Sequence, residues 1–148
     1  MKARWIGALV LIAVALPAYA PQQKSAPASK QTGPTEDSLT KQVSKAMAQS
    51  GFAVQCNLRT APWGGTVIKG WISTLFMVLP SMHPDMDDDE IELRIGQIVK
   101  AARLTSALHT EFAAPDPAGC ATFARSHDLV ELDAAAKLGL LFDAVDNH

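Results

Sequence analysis

Residues 66–79, TVIKGWISTLFMVL, form a strongly apolar stretch in the middle of the chain. Its large apolar side chains recur at the i, i+3, i+4, i+7 and i+11 spacing of one helix face: Ile68, Trp71, Ile72, Leu75 and Leu79. The stretch is shorter than the roughly 20 residues that span a bilayer. Because a helix that is apolar on nearly every side is usually buried, we predict a central helix, capped by Thr66 and ended by Pro80, around which the other helices pack.

The segment before it divides into a helix and an alternating stretch. Leu39, Val43 and Met47 recur every fourth residue, which predicts a surface helix over residues 36–50 with a stop at Gly51.

Residues 52–58 then alternate between apolar and polar side chains, which is typical of a strand. An extended connector held by Cys56 fits equally well, and a kinked continuation of the helix is a third possibility. We predict an extended segment here, followed by a turn over residues 61–65.

The second half of the chain carries three further helix patterns. The acidic run 85–90 precedes an apolar helical pattern that extends to about Phe112, and carboxylates suit a helix N-terminus. Pro117 suits the first turn of a short helix that holds Cys120. Asp128 is the predicted cap of a last helix, in which apolar residues on two adjoining faces predict burial on two sides.

These elements predict an all-α fold: a small bundle of four or five helices with one extended segment and one disulfide. The expected organisation is a signal peptide over residues 1–20, a disordered linker over 21–34 and a single helical domain over 35–148. The linker expectation follows from its lack of large apolar residues.

The N-terminus has the three parts of a secretory signal: Lys2 and Arg4, an apolar run over residues 5–16, and the small-residue exit at residues 18–20. Cleavage is expected after Ala18 or Ala20, with an uncleaved anchor as the alternative. We therefore expect a periplasmic or secreted protein with no membrane span once the signal is removed.

Cys56 and Cys120 are the only cysteines. In an exported chain an even number of cysteines predicts a disulfide. Metal ligation is the competing use, but neither cysteine has another Cys or a His within four residues.

Charge and motifs narrow the function classes. The chain has 13 basic and 15 acidic residues, and loss of Lys2 and Arg4 with the signal leaves 11 basic residues and a net charge of about −4, so we expect no nucleic-acid partner. The sequence contains neither a G-x-S-x-G nor an H-E-x-x-H motif. We predict neither enzymatic activity nor a cofactor.

Two groups of residues are candidate sites. Met82, His83 and Met86 are soft ligands that suit copper, although methionine is also an ordinary core residue. The neighbouring acids fail the EF-hand pattern, because its sixth and twelfth positions are Glu90 and Gly96.

Trp63, Gly64 and Gly65 form the other group. A tryptophan in a glycine-rich segment is either an exposed anchor for a partner or a lid on the core. Together these features predict an exported, non-catalytic domain of the cell envelope that binds another exported protein as an adaptor, inhibitor or immunity-like protein. The alternatives are a periplasmic copper-binding protein and an envelope chaperone.

Overall fold

Five α-helices and one short 3-10 helix follow one another in the computed structural model, which describes residues 33–146; no described residue lies in a strand. The elements are α1 (Glu36–Gln55), α2 (Ala61–Met82), α3 (Asp88–Ser106), the 3-10 helix (Thr110–Phe112), α4 (Pro117–Phe123) and α5 (His127–Asp146). The predicted all-α bundle is confirmed. The predicted signal peptide, and the linker up to residue 32, lie outside the described residues.

Side-chain caps fix where the helices begin. Thr35 and Ser38 form a capping box at α1, and Asp87 and Glu90 form another at α3. The acidic run therefore stabilises a helix N-terminus, as its position predicts. In α5 the Oγ of Ser126 accepts from the amide of Leu129 at 3.3 Å, so the cap role predicted for Asp128 belongs to Ser126.

The extended segment predicted over residues 52–58 is wrong, because α1 continues through Gly51 to Gln55. The helix ends instead in a Schellman motif. Asn57 adopts a left-handed conformation with φ of 57°, its amide donates to the Val54 carbonyl, and the Leu58 amide donates to the Ala53 carbonyl. Phe52 and Ala53 are neighbours in the sequence, and both are buried in the core. A strand would point two successive side chains to opposite faces, whereas a helix at this position buries both.

Both predicted ends of the central helix are also wrong. The helix begins at Ala61, with Thr60 as its N-cap and Pro62 in the first turn, where proline lacks only an amide that has no helical partner. The predicted turn over 61–65 is therefore helical. Pro80 lies inside the helix, which continues to Met82.

α3 is shorter than its apolar pattern predicts. It ends at Ser106, and the backbone leaves helical geometry at His109, whose ψ is 70°. Phe112 belongs to the separate 3-10 helix, where its ring contacts Phe52 and Phe123 edge-on. The apolar residue at the end of the pattern thus reaches the core from a different element.

The buried apolar side chains form two core clusters. The first core joins α1, α2 and α3 and consists of Leu39, Val43, Leu75, Leu79, Ile91, Ile95, Ile98 and Ala102. The second core joins α1, α2, α4 and α5 and consists of Ala46, Phe52, Ala53, Val67, Phe123, Leu129, Leu132 and Ala136. The ring of Trp71 packs against both cores. The middle of α2 therefore links the two halves of the bundle, as expected of a central helix.

α2 packs most extensively on α5, and two glycines allow the close approach. A Cβ atom added to Gly70 would overlap the carbonyl oxygen of Ala135 and lie 3.1 Å from its Cα. A Cβ atom added to Gly139 would overlap the carbonyl oxygen of Thr66 and lie 2.9 Å from the Gly70 nitrogen. The two helices thus meet backbone against backbone.

Burial of α5 is one-sided, which corrects the prediction that it is buried on two sides. The central helix α2 is buried toward both cores and is exposed along one strip only. In α2, Val67, Leu75 and Leu79 are fully buried, but Met77 is 60% exposed. In α5 the buried residues are Leu129, Leu132, Ala136 and Gly139. Most of the predicted apolar stripe faces outward, with Leu141 64% and Val145 76% exposed.

The predicted disulfide between Cys56 and Cys120 is confirmed. It joins the C-terminal cap of α1 to α4. None of the described helices is both long enough and apolar enough to cross a membrane.

Substituting Gly70→Ala or Gly139→Ala is expected to lower the free energy of unfolding by about 1–3 kcal/mol or more, because the added methyl meets backbone that cannot move aside. Urea denaturation measures the effect. Gly96→Ala, inside α3 and facing open space, is the matched control and is expected to raise stability by about 0.5–1 kcal/mol. Equal effects at all three positions would contradict the close contact.

Replacing both cysteines by serine is expected to lower the free energy of unfolding by about 4 kcal/mol. The sulfurs join positions 64 residues apart, and opening a loop of that length gives the unfolded chain the corresponding entropy. Denaturation with and without a reductant makes the comparison in the unmodified protein. A loss below about 1 kcal/mol in both experiments would show that the bridge contributes little.

Candidate functional site

Trp63 lies in the first turn of α2 and is half-buried against the second core. Its indole Nε1 donates to the carboxylate of Asp133 in α5 at 3.0 Å. The guanidinium of Arg59 lies over the ring, 5.8 Å from its centroid. Trp63 thus holds together α2, α5 and the loop before α2; whether it also binds a partner stays a prediction.

Arg59 and Asp133 form a two-pronged ion pair. The Nε of Arg59 donates to Asp133 Oδ1 at 2.9 Å, and its second nitrogen donates to Oδ2. Hydrogen bonding by Arg59 lowers the pKa of Asp133 from its ordinary value of 3.8, although burial acts in the opposite direction. The carboxylate therefore stays ionised as an anchor for both Arg59 and Trp63.

Gly64 and Gly65 lie apart from the Trp63 ring. They line an open surface groove of about 410 Å³ together with Gly51 and Arg103, and Trp63 is not among its lining residues. The three residues predicted as one partner site therefore face two surroundings. Trp63 faces α5, while the glycines face a groove between α1, α2 and α3.

His83 belongs to an ion cluster that links the end of α2 to α1 and α3. Its Nε2 contacts Glu36 Oε1, and Arg94 meets the same carboxylate with its Nε at 3.0 Å and a second nitrogen at 2.9 Å. The hydrogen bond from Arg94 is the main cause that lowers the pKa of Glu36 from 4.5; burial opposes it and His83 adds to it.

Met82 and Met86, the other two candidate copper ligands, are half-buried and pack against the first core. The described residues contain no group of three or more His, Cys, Asp or Glu side chains arranged to hold a metal ion. That search does not cover thioether ligands, so copper binding through Met82, His83 and Met86 stays a prediction.

A further candidate site, which the sequence pattern does not single out, is an apolar groove between the C-terminal halves of α2 and α5. We call it the α2–α5 groove; its apolar lining is Phe76, Met77, Leu138, Leu141, Phe142 and Val145. The rings of Phe76 and Phe142 stack with their centroids 6.2 Å apart. The groove encloses about 320 Å³, and its most exposed side chains are Met77, Leu141 and Val145.

A charged pair lies beside the groove. Lys69 of α2 donates to both carboxylate oxygens of Asp143 in α5, at 2.7 and 2.8 Å. Asp143 follows the groove residue Phe142 in sequence, and Lys69 lies one helical turn before Ser73, which also lines the groove. The described histidines His109 and His127 pair instead with Glu111 and Glu131 at the surface, and neither lines the groove. The groove therefore offers apolar contact rather than acid–base chemistry.

The helices and the groove together define a class of molecule: a small disulfide-linked α-helical domain with an exposed apolar cleft. No protein-family model, curated protein or solved structure matches the chain.

Asp133→Asn is expected to lower the free energy of unfolding by about 1–3 kcal/mol near neutral pH, since Arg59 and Trp63 lose an ionised acceptor. Because the folded pKa of Asp133 lies below its unfolded value, this stabilisation is complete above the unfolded value and is lost as pH falls below it.

Urea denaturation at about pH 6 and about pH 2.5 checks the sign. The difference between the original protein and Asp133→Asn should shrink at the lower pH. In an Arg59→Met background the same substitution should show little pH dependence. A difference that stays constant in the unmodified background would show that this ion pair does not lower the pKa of Asp133.

Proposed function

We propose that this protein is an exported, non-catalytic domain of a bacterial-type cell envelope that binds another exported protein through the α2–α5 groove. The observation that carries the proposal is the exposure of large apolar side chains along this groove: Phe76 is 37%, Met77 60%, Leu141 64% and Val145 76% exposed. Contiguous apolar surface on a folded domain marks binding sites more often than isolated exposed residues do.

The shape of the groove favours a helical segment as its occupant. Two packed helices form its walls, and the lining residues recur at helical spacing, with Leu138, Leu141 and Val145 along α5. An amphipathic helix places apolar anchors into such a cleft at i, i+3 or i+4, and i+7.

Three further observations support export or favour the groove over the other two candidate sites. A disulfide-bonded cysteine pair is compatible with an oxidising compartment, in agreement with the leader-like N-terminus. The indole of Trp63 is already bonded to Asp133, so the groove is a better supported partner site than the Trp63 segment. The side chains that copper would require already contact the first core or Glu36.

The test compares variants that introduce a charge at matched exposed leucines. Leu141→Glu, in the groove, is expected to abolish partner binding, because burial of an apolar anchor is replaced by burial of an unpaired carboxylate. Leu104→Glu in α3 is the control, since Leu104 is 72% exposed and lies outside the groove. Photo-crosslinking from Met77 in envelope extract identifies the partner, and titration with the purified partner measures affinity.

Loss of binding in Leu141→Glu alone, with the fold intact by circular dichroism, supports the proposal. Equal binding by both variants would overturn it. A concentration-dependent dimer that Leu141→Glu abolishes would instead make a second copy of this chain the occupant.

A further inference from the structure

A third pocket, smaller than the two grooves described above, lies between α1, α2 and α5. Its volume is about 230 Å³, below the range of about 300–1,000 Å³ that suits drug-sized ligands. Its polar lining consists of Gln42, Lys45, Gln49, Trp71, Asp128 and Glu131, and the buried Ala46 and Leu132 complete it. The size and lining suit a small polar molecule.

The pocket contains a fixed carboxylate. Gln49, only 4% exposed, donates from its side-chain amide to Asp128 Oδ2 at 2.6 Å. The ammonium of Lys45 lies 3.6 Å from the same oxygen. A buried amide therefore fixes the orientation of Asp128 before any ligand arrives, which lowers the entropy cost of binding.

The pocket also presents opposite charges. Glu131 follows Asp128 by three residues on α5 and so lies on the same helix face; it also meets His127 Nε2 at 3.3 Å. Two carboxylates against the single ammonium of Lys45 leave the lining with a net charge of −1. A ligand with a cationic group complements this excess, and an acidic group on the same ligand can share Lys45 with Asp128.

Trp71 forms one wall of the pocket. Its indole Nε1 is buried and has no hydrogen-bond partner among the described residues. A ligand in the pocket therefore lies beside the Trp71 ring, which makes the indole resonance a reporter of binding.

From these features we propose that the pocket between α1, α2 and α5 binds a free amino acid, with the ammonium group between Asp128 and Glu131 and the carboxylate toward Lys45. This activity is independent of the proposed partner binding. The residues that carry it are separate from those of the α2–α5 groove, and the substitutions below leave that groove unchanged.

The experiment is a screen of the common L-amino acids at millimolar concentration against the purified full chain, read from the nitrogen-15 shift of the Trp71 indole. Trp71→Phe assigns that resonance. At least one amino acid is expected to bind saturably and to shift the resonance. Its decarboxylated and deaminated counterparts, which carry one charged group each, are expected to bind at least about tenfold more weakly, since each loses a charge-assisted interaction.

Lys45→Met and Glu131→Gln are each expected to weaken binding about tenfold or more. Both side chains are largely exposed, so these variants should keep the fold. Lys41→Met and Glu92→Gln, exposed on α1 and α3 outside the pocket, are the matched controls and should bind as the original chain does.

Three results would overturn the proposal: absence of saturable binding by any amino acid, equal affinity for the decarboxylated counterpart, or an unshifted Trp71 indole at saturation. Equal effects of the pocket and control variants would also overturn it. None of these results bears on the α2–α5 groove, whose test uses a protein partner.

Discussion

The contact between Gly70 and Gly139 is the constraint on which the rest of the structure depends. Two helices without side chains at their crossing approach until backbone meets backbone, and a Cβ at either position would overlap a carbonyl oxygen of the opposite helix. Close packing of this kind leaves the two helices little freedom to slide past each other, because protein interiors have few voids. The pairing of α2 with α5 thereby fixes the position of the second core relative to the first.

The same contact explains why apolar side chains remain outside. Because α2 and α5 meet through small residues, the large side chains that flank the crossing cannot all be buried between them. On one side the ring of Trp71 packs against both cores. On the other side Phe76 and Phe142 stack at the edge of the α2–α5 groove. Polar contacts also join α5 to α2 and the loop before it. Asp133 of α5 accepts from Arg59 and Trp63, and Asp143 of α5 accepts from Lys69.

The sequence predicts the helical class, the disulfide and the acidic start of α3 because each depends on local chemistry. Periodicity, a lone pair of cysteines and carboxylates before an apolar run need no knowledge of the fold. Helix ends were harder to predict. Gly51 and Pro80 are strong local signals for a stop, yet tertiary packing carries the helix past both. Asn57 was the available signal for the true end of α1, as asparagine tolerates the left-handed conformation.

The candidate sites also depend partly on local sequence and partly on tertiary packing. Which face of α5 is buried depends on where Gly139 meets α2, and a helix with apolar residues on two faces does not reveal that choice. The groove could have been suspected from the apolar residues at 138, 141, 142 and 145, which exceed what one buried face needs. The sequence singles out Trp63 but not its partner. Its hydrogen bond to Asp133 joins positions 70 residues apart along the chain, which no local pattern reveals.

The most direct test of this account is a measurement of the helix crossing itself in solution. A nuclear Overhauser effect between the α protons of Gly70 and Ala135 requires the two backbones to touch. We expect a strong one, accompanied by another between the amide proton of Gly70 and the α protons of Gly139. If assigned spectra of the folded protein lacked both signals, α2 and α5 would be separated by side chains. That result would contradict the claim that the glycine contact both positions the two cores and leaves the groove residues exposed.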